Sequence, residues 1–231
     1  MSIIYNFVEQ IRHPFLFNLY FKKVNFCTFL HIFFRYLTIP LKEIEKYIPK
    51  QGRLLDFGCG YGMFSSLLHI SSKQREIIGI DIDCRKIDIA NKTNPGSKNV
   101  VFLNKSISAL KEKKFDAVVV IDVLYLISPS ARGTLLKAFY GILKSDGVLV
   151  IKIMDPRLKL KFFWNHFQEF ISVKITKITK TNDKKLYFIK DMNYFKSILR
   201  ELMFNVEEVK LDKGFLYPHI LVVCQKQIRE Q

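Results

Sequence analysis

Five short apolar runs rich in β-branched residues alternate with stretches of helical spacing, and this alternation constrains the fold more than any other feature of the chain. The runs lie at residues 53–57, 77–82, 99–103, 117–122 and 148–153. Strands that are apolar throughout are typical of sheets covered on both faces, and links that contain helices join parallel strands. The sequence therefore predicts an α/β fold with a doubly wound, mostly parallel, Rossmann-like sheet.

Two further runs, 204–211 and 220–225, bring the predicted sheet to seven strands. The residues DKGFLYP lie between them and are too few for a crossover helix. We therefore expect these two strands to form an antiparallel hairpin at the edge of the sheet.

The remaining segments are predicted to cap this core. We predict an aromatic helical cap over residues 1–50, a cofactor-binding core over 51–154, an inserted basic and aromatic cap over 155–190, and a C-terminal helix and strand hairpin over 191–231. A chain of 231 residues is long enough for one such domain with its caps. In the first cap, helical spacing predicts one apolar face formed by Phe26, Leu30, Phe33 and Leu37.

Positive charge is concentrated in two segments of the chain. The formal net charge is +16, and twelve of these charges fall within residues 1–53 and 152–196. This concentration favours an anionic partner, either an anionic membrane surface or an acidic carrier protein, with nucleic acid a weaker alternative. A lysine-rich, solvated surface without any partner is the other interpretation.

Cysteine usage and hydropathy indicate a cytoplasmic location, with peripheral membrane contact as an alternative. The four cysteines lie far apart without a CxxC pair, so we expect neither a disulfide framework nor a metal site. The amino-terminal stretch has no small-residue cleavage site, so we expect no signal peptide. The longest uncharged run near it, residues 24–34, is about half of the ~20 residues that span a bilayer.

The first predicted strand ends in the motif Asp-Phe-Gly-Cys-Gly-Tyr-Gly at residues 56–62. Three closely spaced glycines allow a tight turn whose main chain can touch a ligand. A dinucleotide fingerprint requires glycine where Met63 stands, and no GxxxxGK[ST] loop is present. The motif therefore argues against a dehydrogenase and gives no sign of a triphosphate site.

This motif resembles the first motif of class I S-adenosylmethionine-dependent methyltransferases. Further matches follow in order: Asp81 in IIGIDID, the fourth-strand stretch KKFDAVVVIDVLYLI, and LKSDGVLVI before the fifth strand. The resemblance implies S-adenosyl-L-methionine as the cofactor and methyl transfer as the reaction. A methyltransferase-like domain that serves only as an interaction module stays open, because fold does not fix function.

The resemblance also assigns a cofactor site. The backbones of Gly58 and Gly60 would approach the methionine portion, Asp81 would accept both ribose hydroxyls, and Ser106 stands where the family often places an aspartate beside adenine. The full predicted cofactor set is Asp56, Phe57, Gly58, Cys59, Gly60, Tyr61, Gly62, Asp81, Ile82, Ser106, Ile107 and Asp122.

The acceptor is less constrained by the sequence. Related enzymes often carry a histidine where this chain has Leu126. The remaining candidates for a catalytic base are Tyr125, His166 and His219, and a purely structural role is the alternative for each of them. The Asn/Asp-Pro-Pro-aromatic motif of enzymes that methylate nucleic acid bases is absent. The aromatic caps, with a weaker resemblance to bacterial methyltransferases of lipid or polyketide-like acyl-chain assembly, favour a hydrophobic small-molecule, lipid or carrier-bound acyl acceptor. RNA methylation is the alternative reaction.

Overall fold

The computed structural model describes residues 14–94, 96–155, 185–211 and 219–227, with side chains from residue 18 onward. Its strands are β1 (Gly52–Phe57), β2 (Arg75–Ile80), β3 (Val100–Leu103), β4 (Phe115–Ile121), β5 (Leu143–Met154), β6 (Phe204–Lys210) and β7 (His219–Lys226). Its helices are α1 (Pro14–Phe21), α2 (Phe26–Thr38), α3 (Leu41–Glu45), α4 (Met63–Ser71), α5 (Cys84–Thr93), α6 (Pro129–Ile142) and α7 (Met192–Glu201). Two short 3-10 helices cover Ile107–Leu110 and Leu124–Leu126.

The strands form one seven-stranded sheet in the order β3-β2-β1-β4-β5-β7-β6. Strands β1 to β5 are parallel, and β7 runs antiparallel to both β5 and β6. The predicted fold class and the edge hairpin are therefore confirmed. The strand order reverses between β1 and β4, and ligands of open α/β sheets bind at the carboxyl ends of the strands at such a switch point.

Both faces of the sheet are covered by apolar layers. Neighbouring residues of β4 point to opposite sides, so that Val119 joins the layer under α2, α4 and α5, whereas Val118 joins the layer under α6 and α7. Both side chains are fully buried. This double burial is the reason that the central strands are apolar throughout rather than alternating.

Helix α2 packs through a different face from the predicted one. Its buried residues are Phe29, Ile32 and Tyr36, whereas Phe26 is 70% exposed and Leu30 is 38% exposed. The predicted apolar face was therefore wrong for Phe26 and Leu30, whereas Phe33 and Leu37 are partly buried against the core. Aromatic and aliphatic residues occur all around this helix, and the buried ones also follow helical spacing. Packing against the layer that the helix covers decides which of these apolar stripes is buried.

A buried arginine joins the amino-terminal helices to the sheet. Arg75, at the start of β2, is completely buried and donates from Nε to the Pro49 carbonyl at 2.7 Å and from Nη2 to the Ile48 carbonyl at 3.0 Å. Its Nη1 also pairs with Glu45 Oε1 of α3 at 2.8 Å. These contacts fix the segment that leads from α3 into β1.

The predicted inserted cap over 155–190 lies mostly outside the described residues, and the division of the chain into four segments stays a prediction. None of the helices in the described part of the chain combines the length and the apolar character that crossing a bilayer requires.

Candidate active site

A cavity of about 580 Å³ opens at the carboxyl ends of β1, β2 and β4. Its volume falls within the range of roughly 300–1,000 Å³ that is typical of small-molecule sites. Residues of α2 and of the 3-10 helix Leu124–Leu126 complete its walls. The cavity therefore lies at the switch point of the sheet.

The glycine loop after β1 forms one wall of this cavity. Gly58, Gly60 and Gly62 have φ values of +73°, +55° and +77°, a region that favours glycine. A Cβ atom on Gly58 would lie 2.4 Å from Val123 Cγ2, and one on Gly62 would lie 2.5 Å from Phe102 Cζ, so packing also excludes side chains there. A Cβ on Gly60 would meet no atom within 4 Å. The main chain at Gly60 is therefore open to a ligand in the cavity.

Asp81 ties this loop to the end of β2. Its Oδ2 accepts a hydrogen bond from Gly60 N at 2.9 Å, and its Oδ1 accepts one from Asp83 N at 2.8 Å. An ionised carboxylate has about four acceptor positions, so each oxygen can still accept from a ligand hydroxyl. Asp81 is thus held in a fixed orientation on the cavity wall.

Asp56 lies at the floor of the cavity and is almost completely buried. Burial raises the pKa of this carboxyl group to about 6, and the negative charge of Asp81 acts in the same direction. The Ser65 hydroxyl donates to Asp56 Oδ2 at 2.6 Å and opposes that rise. A cationic ligand would favour the ionised form of this group.

Asp122 follows β4 with a φ of +55° and lies between two cations. Its Oδ1 pairs with Lys152 Nζ at 2.5 Å, and its Oδ2 pairs with Arg35 Nη2 of α2 at 3.3 Å. Burial favours a higher pKa for Asp122, but the charges of Lys152 and Arg35 outweigh burial and lower the pKa below its ordinary value. Asp122 is therefore ionised at neutral pH, and its predicted contact with a cofactor stays a prediction.

An apolar ledge forms another part of the cavity wall. The Ile82 side chain is 65% exposed although it lines the cavity, and Ser106 and Ile107 line the same cavity. Ser106 directly precedes a 3-10 helix, and its hydroxyl lies 2.6 Å from that of Ser108. This ledge could pack against a flat ring whose edge meets the backbone at Ser106.

The structure brings together every residue of the predicted cofactor set except Gly62, which precedes α4 and does not line the cavity. Phe57, Cys59 and Tyr61 line it together with the residues described above. Burial raises the pKa of the Cys59 thiol well above its ordinary value, so that Cys59 is a protonated thiol rather than a nucleophile.

The three candidate bases have different positions. Tyr125 lines the cavity and is buried, with its ring stacked on that of Phe188 at 5.3 Å between centroids. His219 is buried on β7 and does not line the cavity, and its Nε2 lies 2.8 Å from the Thr38 carbonyl oxygen. His166 lies outside the described residues.

The cavity is also lined by residues that the sequence analysis did not identify, among them His31 and Arg35 of α2 and Lys86 of α5. His31 and Arg35 are four residues apart and therefore share one face of a helix, a spacing that could have identified them. Burial, together with the charges of Arg35 and Lys86, lowers the pKa of His31 to about 4. His31 is consequently neutral at physiological pH.

Comparison with known proteins shows the family of this chain. Residues 29–186 match the family model of a methyltransferase domain. The chain belongs to the methyltransferase domain family. S-adenosyl-L-methionine, the cofactor predicted from the sequence, is the cofactor of such enzymes, and the predicted class I methyltransferase is confirmed at the level of family and fold.

Two curated relatives of this methyltransferase-family chain cover only part of it. YqeM of Bacillus subtilis, which is named as a methyltransferase, is 28% identical over 116 residues. The match covers 48% of this chain and 46% of the relative. A carboxy-S-adenosyl-L-methionine synthase of Helicobacter pylori is 32% identical over 120 residues, or 50% of this chain and 49% of the relative. The chain thus spans about half the length of these curated relatives.

Among solved structures, magnesium protoporphyrin IX methyltransferase (ChlM) of Synechocystis PCC 6803, with bound S-adenosylhomocysteine, has a similar fold. The TM-score is 0.61 at 16% sequence identity, and the match covers 81% of this chain and 82% of that chain. At this identity the likeness shows the fold alone.

Proposed function

We propose that this protein transfers a methyl group from S-adenosylmethionine to a hydrophobic acceptor. The observation that carries the proposal is the open main chain at Gly60, held by Asp81 at the switch point of a methyltransferase-family fold. When bound, S-adenosylmethionine supplies a methyl group on a sulfonium for in-line displacement. The remaining steps depend on residues of this chain.

The cavity residues fit the predicted cofactor in shape and charge. The carboxylate of Asp81 can accept two ribose hydroxyls while it keeps its bonds to Gly60 and Asp83. Ile82 offers an apolar surface to the adenine ring, and the carboxyl group of Asp56 favours a cation at the floor of the cavity. These roles were implied by the family resemblance and agree with the geometry of the cavity.

Catalysis in such a site rests on positioning, since alignment of nucleophile, carbon and leaving sulfur accounts for much of the rate in a displacement. Tyr125 is the predicted base that lies on the cavity wall, and it could hydrogen-bond an acceptor hydroxyl. Its stacking on Phe188 restricts the rotation of the ring.

An apolar acceptor is favoured by the walls of the cavity beyond the glycine loop. Aliphatic residues contribute to them, among them Ile32, Ile39, Leu41, Leu126 and Ile127. The predicted contact with an anionic membrane surface or an acidic carrier protein stays a prediction, because most of the second basic segment, residues 152–196, lies outside the described residues.

The test is a two-stage assay on the full chain. Calorimetry with S-adenosylmethionine and S-adenosylhomocysteine measures cofactor binding. Transfer of a labelled methyl group is then measured against a panel of lipid, acyl-thioester and small aromatic acceptors, with RNA as a separate arm. Binding together with labelling of an apolar acceptor supports the proposal, labelling of RNA alone overturns the acceptor class, and absence of cofactor binding overturns the function.

Synthesis of carboxy-S-adenosyl-L-methionine is a second candidate, since the relative from Helicobacter pylori is named as a synthase of this compound. The guanidinium of Arg35 on the cavity wall favours it, because a carboxylate added to the cofactor would need a cationic partner there. In that reaction the sulfonium methyl group would lose a proton and form a carbon–carbon bond to carbon dioxide released from a decarboxylating carboxylic acid. Mass spectrometry of the nucleoside products, with such an acid or bicarbonate added as the carboxyl donor, distinguishes the two reactions. A carboxylated cofactor supports the synthase, whereas S-adenosylhomocysteine as the sole product supports methyl transfer.

A further inference from the structure

Two nitrogen-bearing side chains from different helices flank the ring of Tyr61 at the cavity wall. The rings of His31 and Tyr61 meet edge to face, with 6.0 Å between centroids and 72° between planes. The ammonium nitrogen of Lys86 lies 5.8 Å from the centroid of the same ring. All three residues line the cavity, so both nitrogen groups are available to one ligand.

Lys86 has no carboxylate at ion-pair distance among the described residues, although it is only half-exposed. The two acidic groups whose charges act on Lys86 make other contacts: Asp81 accepts from two backbone amides, and Asp83 pairs with Arg85 at 2.9 Å. Burial lowers the pKa of Lys86, although the charge of Asp81 partly opposes this. This half-buried ammonium contacts an aromatic ring and lies beyond ion-pair distance of Asp81 and Asp83, so it is incompletely neutralised.

We propose, resting on the function proposed above, that Lys86 and His31 form an anion subsite, and that the methyl acceptor is an apolar molecule carrying a carboxylate or a phosphate. Lys86 supplies the charge and His31 supplies a hydrogen bond from its ring. Tyr61 separates the two nitrogen groups and keeps them on the cavity wall. The aliphatic walls then take the apolar body of the same molecule.

The same anion chemistry could come from the amino-acid carboxylate of the cofactor, so the experiment has two arms. The first arm titrates octanoate, octyl phosphate and octanol into protein saturated with S-adenosylhomocysteine. The second arm compares S-adenosylhomocysteine with methylthioadenosine, which lacks the amino-acid carboxylate. Each arm uses the native chain, Lys86→Met, Lys86→Arg and the matched control Lys92→Met, which removes an exposed lysine from the same helix.

We expect the native protein to bind octanoate or octyl phosphate about tenfold or more tightly than octanol, because a charge-assisted hydrogen bond is worth this much. Lys86→Met should remove this preference, whereas Lys86→Arg and Lys92→Met should keep it. The affinity for S-adenosylhomocysteine should be the same in all four proteins, and so should the affinity for methylthioadenosine. Thermal unfolding of Lys86→Met close to that of the native chain confirms that the variant is folded.

Equal or absent binding of the charged and neutral octyl compounds to the native protein overturns the subsite. A loss confined to S-adenosylhomocysteine in Lys86→Met also overturns it, since the anion would then be that of the cofactor. Failure of the native protein to bind S-adenosylhomocysteine at all is a different result, which overturns the proposed function itself.

Discussion

Substitution of Asp81 by alanine should weaken both cofactor binding and the stability of the glycine loop. The carboxylate accepts hydrogen bonds from Gly60 N and Asp83 N at 2.9 and 2.8 Å. It is also predicted to accept hydrogen bonds from two ribose hydroxyls. Hydrogen bonds to a charged group contribute about 1.5–3 kcal/mol each, and water can replace part of them at this half-buried position.

From these contacts we expect two measurable losses. The free energy of unfolding of Asp81→Ala should fall by about 1–3 kcal/mol, because two backbone amides lose a charged acceptor. The affinity for S-adenosylhomocysteine should fall by about 2–4 kcal/mol, which is roughly thirtyfold or more. Urea denaturation measures the first quantity and isothermal titration calorimetry the second.

The matched control is Asp88→Ala, which removes an exposed carboxylate from α5 that does not line the cavity. This control should leave both quantities unchanged. A folded Asp81→Ala protein that binds S-adenosylhomocysteine as tightly as the native chain would refute the assignment of Asp81 to the ribose. An unchanged free energy of unfolding would refute its role in holding the loop.

Two other substitutions test the geometry of the site. In Gly60→Ala the new methyl group should project into the cavity and weaken S-adenosylhomocysteine binding in calorimetry by at least about tenfold, while the left-handed backbone costs about 1–2 kcal/mol of stability. The control Gly96→Ala, which has a φ of +79° and lies outside the cavity, should show only the stability cost. Equal affinities of the two variants for S-adenosylhomocysteine would contradict this prediction. Lys152→Met should lower the free energy of unfolding by about 3–5 kcal/mol, because it removes the closest cation from the buried Asp122. Since the folded-state pKa of Asp122 is lowered, the stability from this pair should be complete above the unfolded pKa of about 3.9 and lost as the pH falls through the folded pKa. Urea denaturation between neutral and acidic pH should show this loss in the native chain and a smaller one in Lys152→Met, and identical curves would refute the pairing.

Local pattern was sufficient to predict the sheet and the loop of the candidate site. The strands are short and apolar because both of their faces are covered, and this requirement is visible in each run of residues separately. The closely spaced glycines predict a turn, and Gly58 and Gly62 indeed have positive φ, while Asp81 follows from its place at the end of the next strand. Such features depend on a few neighbouring residues.

Tertiary structure decided which charged groups meet and which helix faces are buried. Arg35 and Asp122 are 87 positions apart, and Asp122 and Lys152 are 30 apart, so no local period relates them. The rotation of α2 turned Phe26 outward and brought His31 and Arg35 to the cavity, because packing against the sheet selected one of several apolar faces. His219 was likewise placed away from the cavity by the pairing of β7 with β5. Such contacts between residues distant in sequence depend on how the helices and strands pack into layers, and no single segment of the sequence determines that packing.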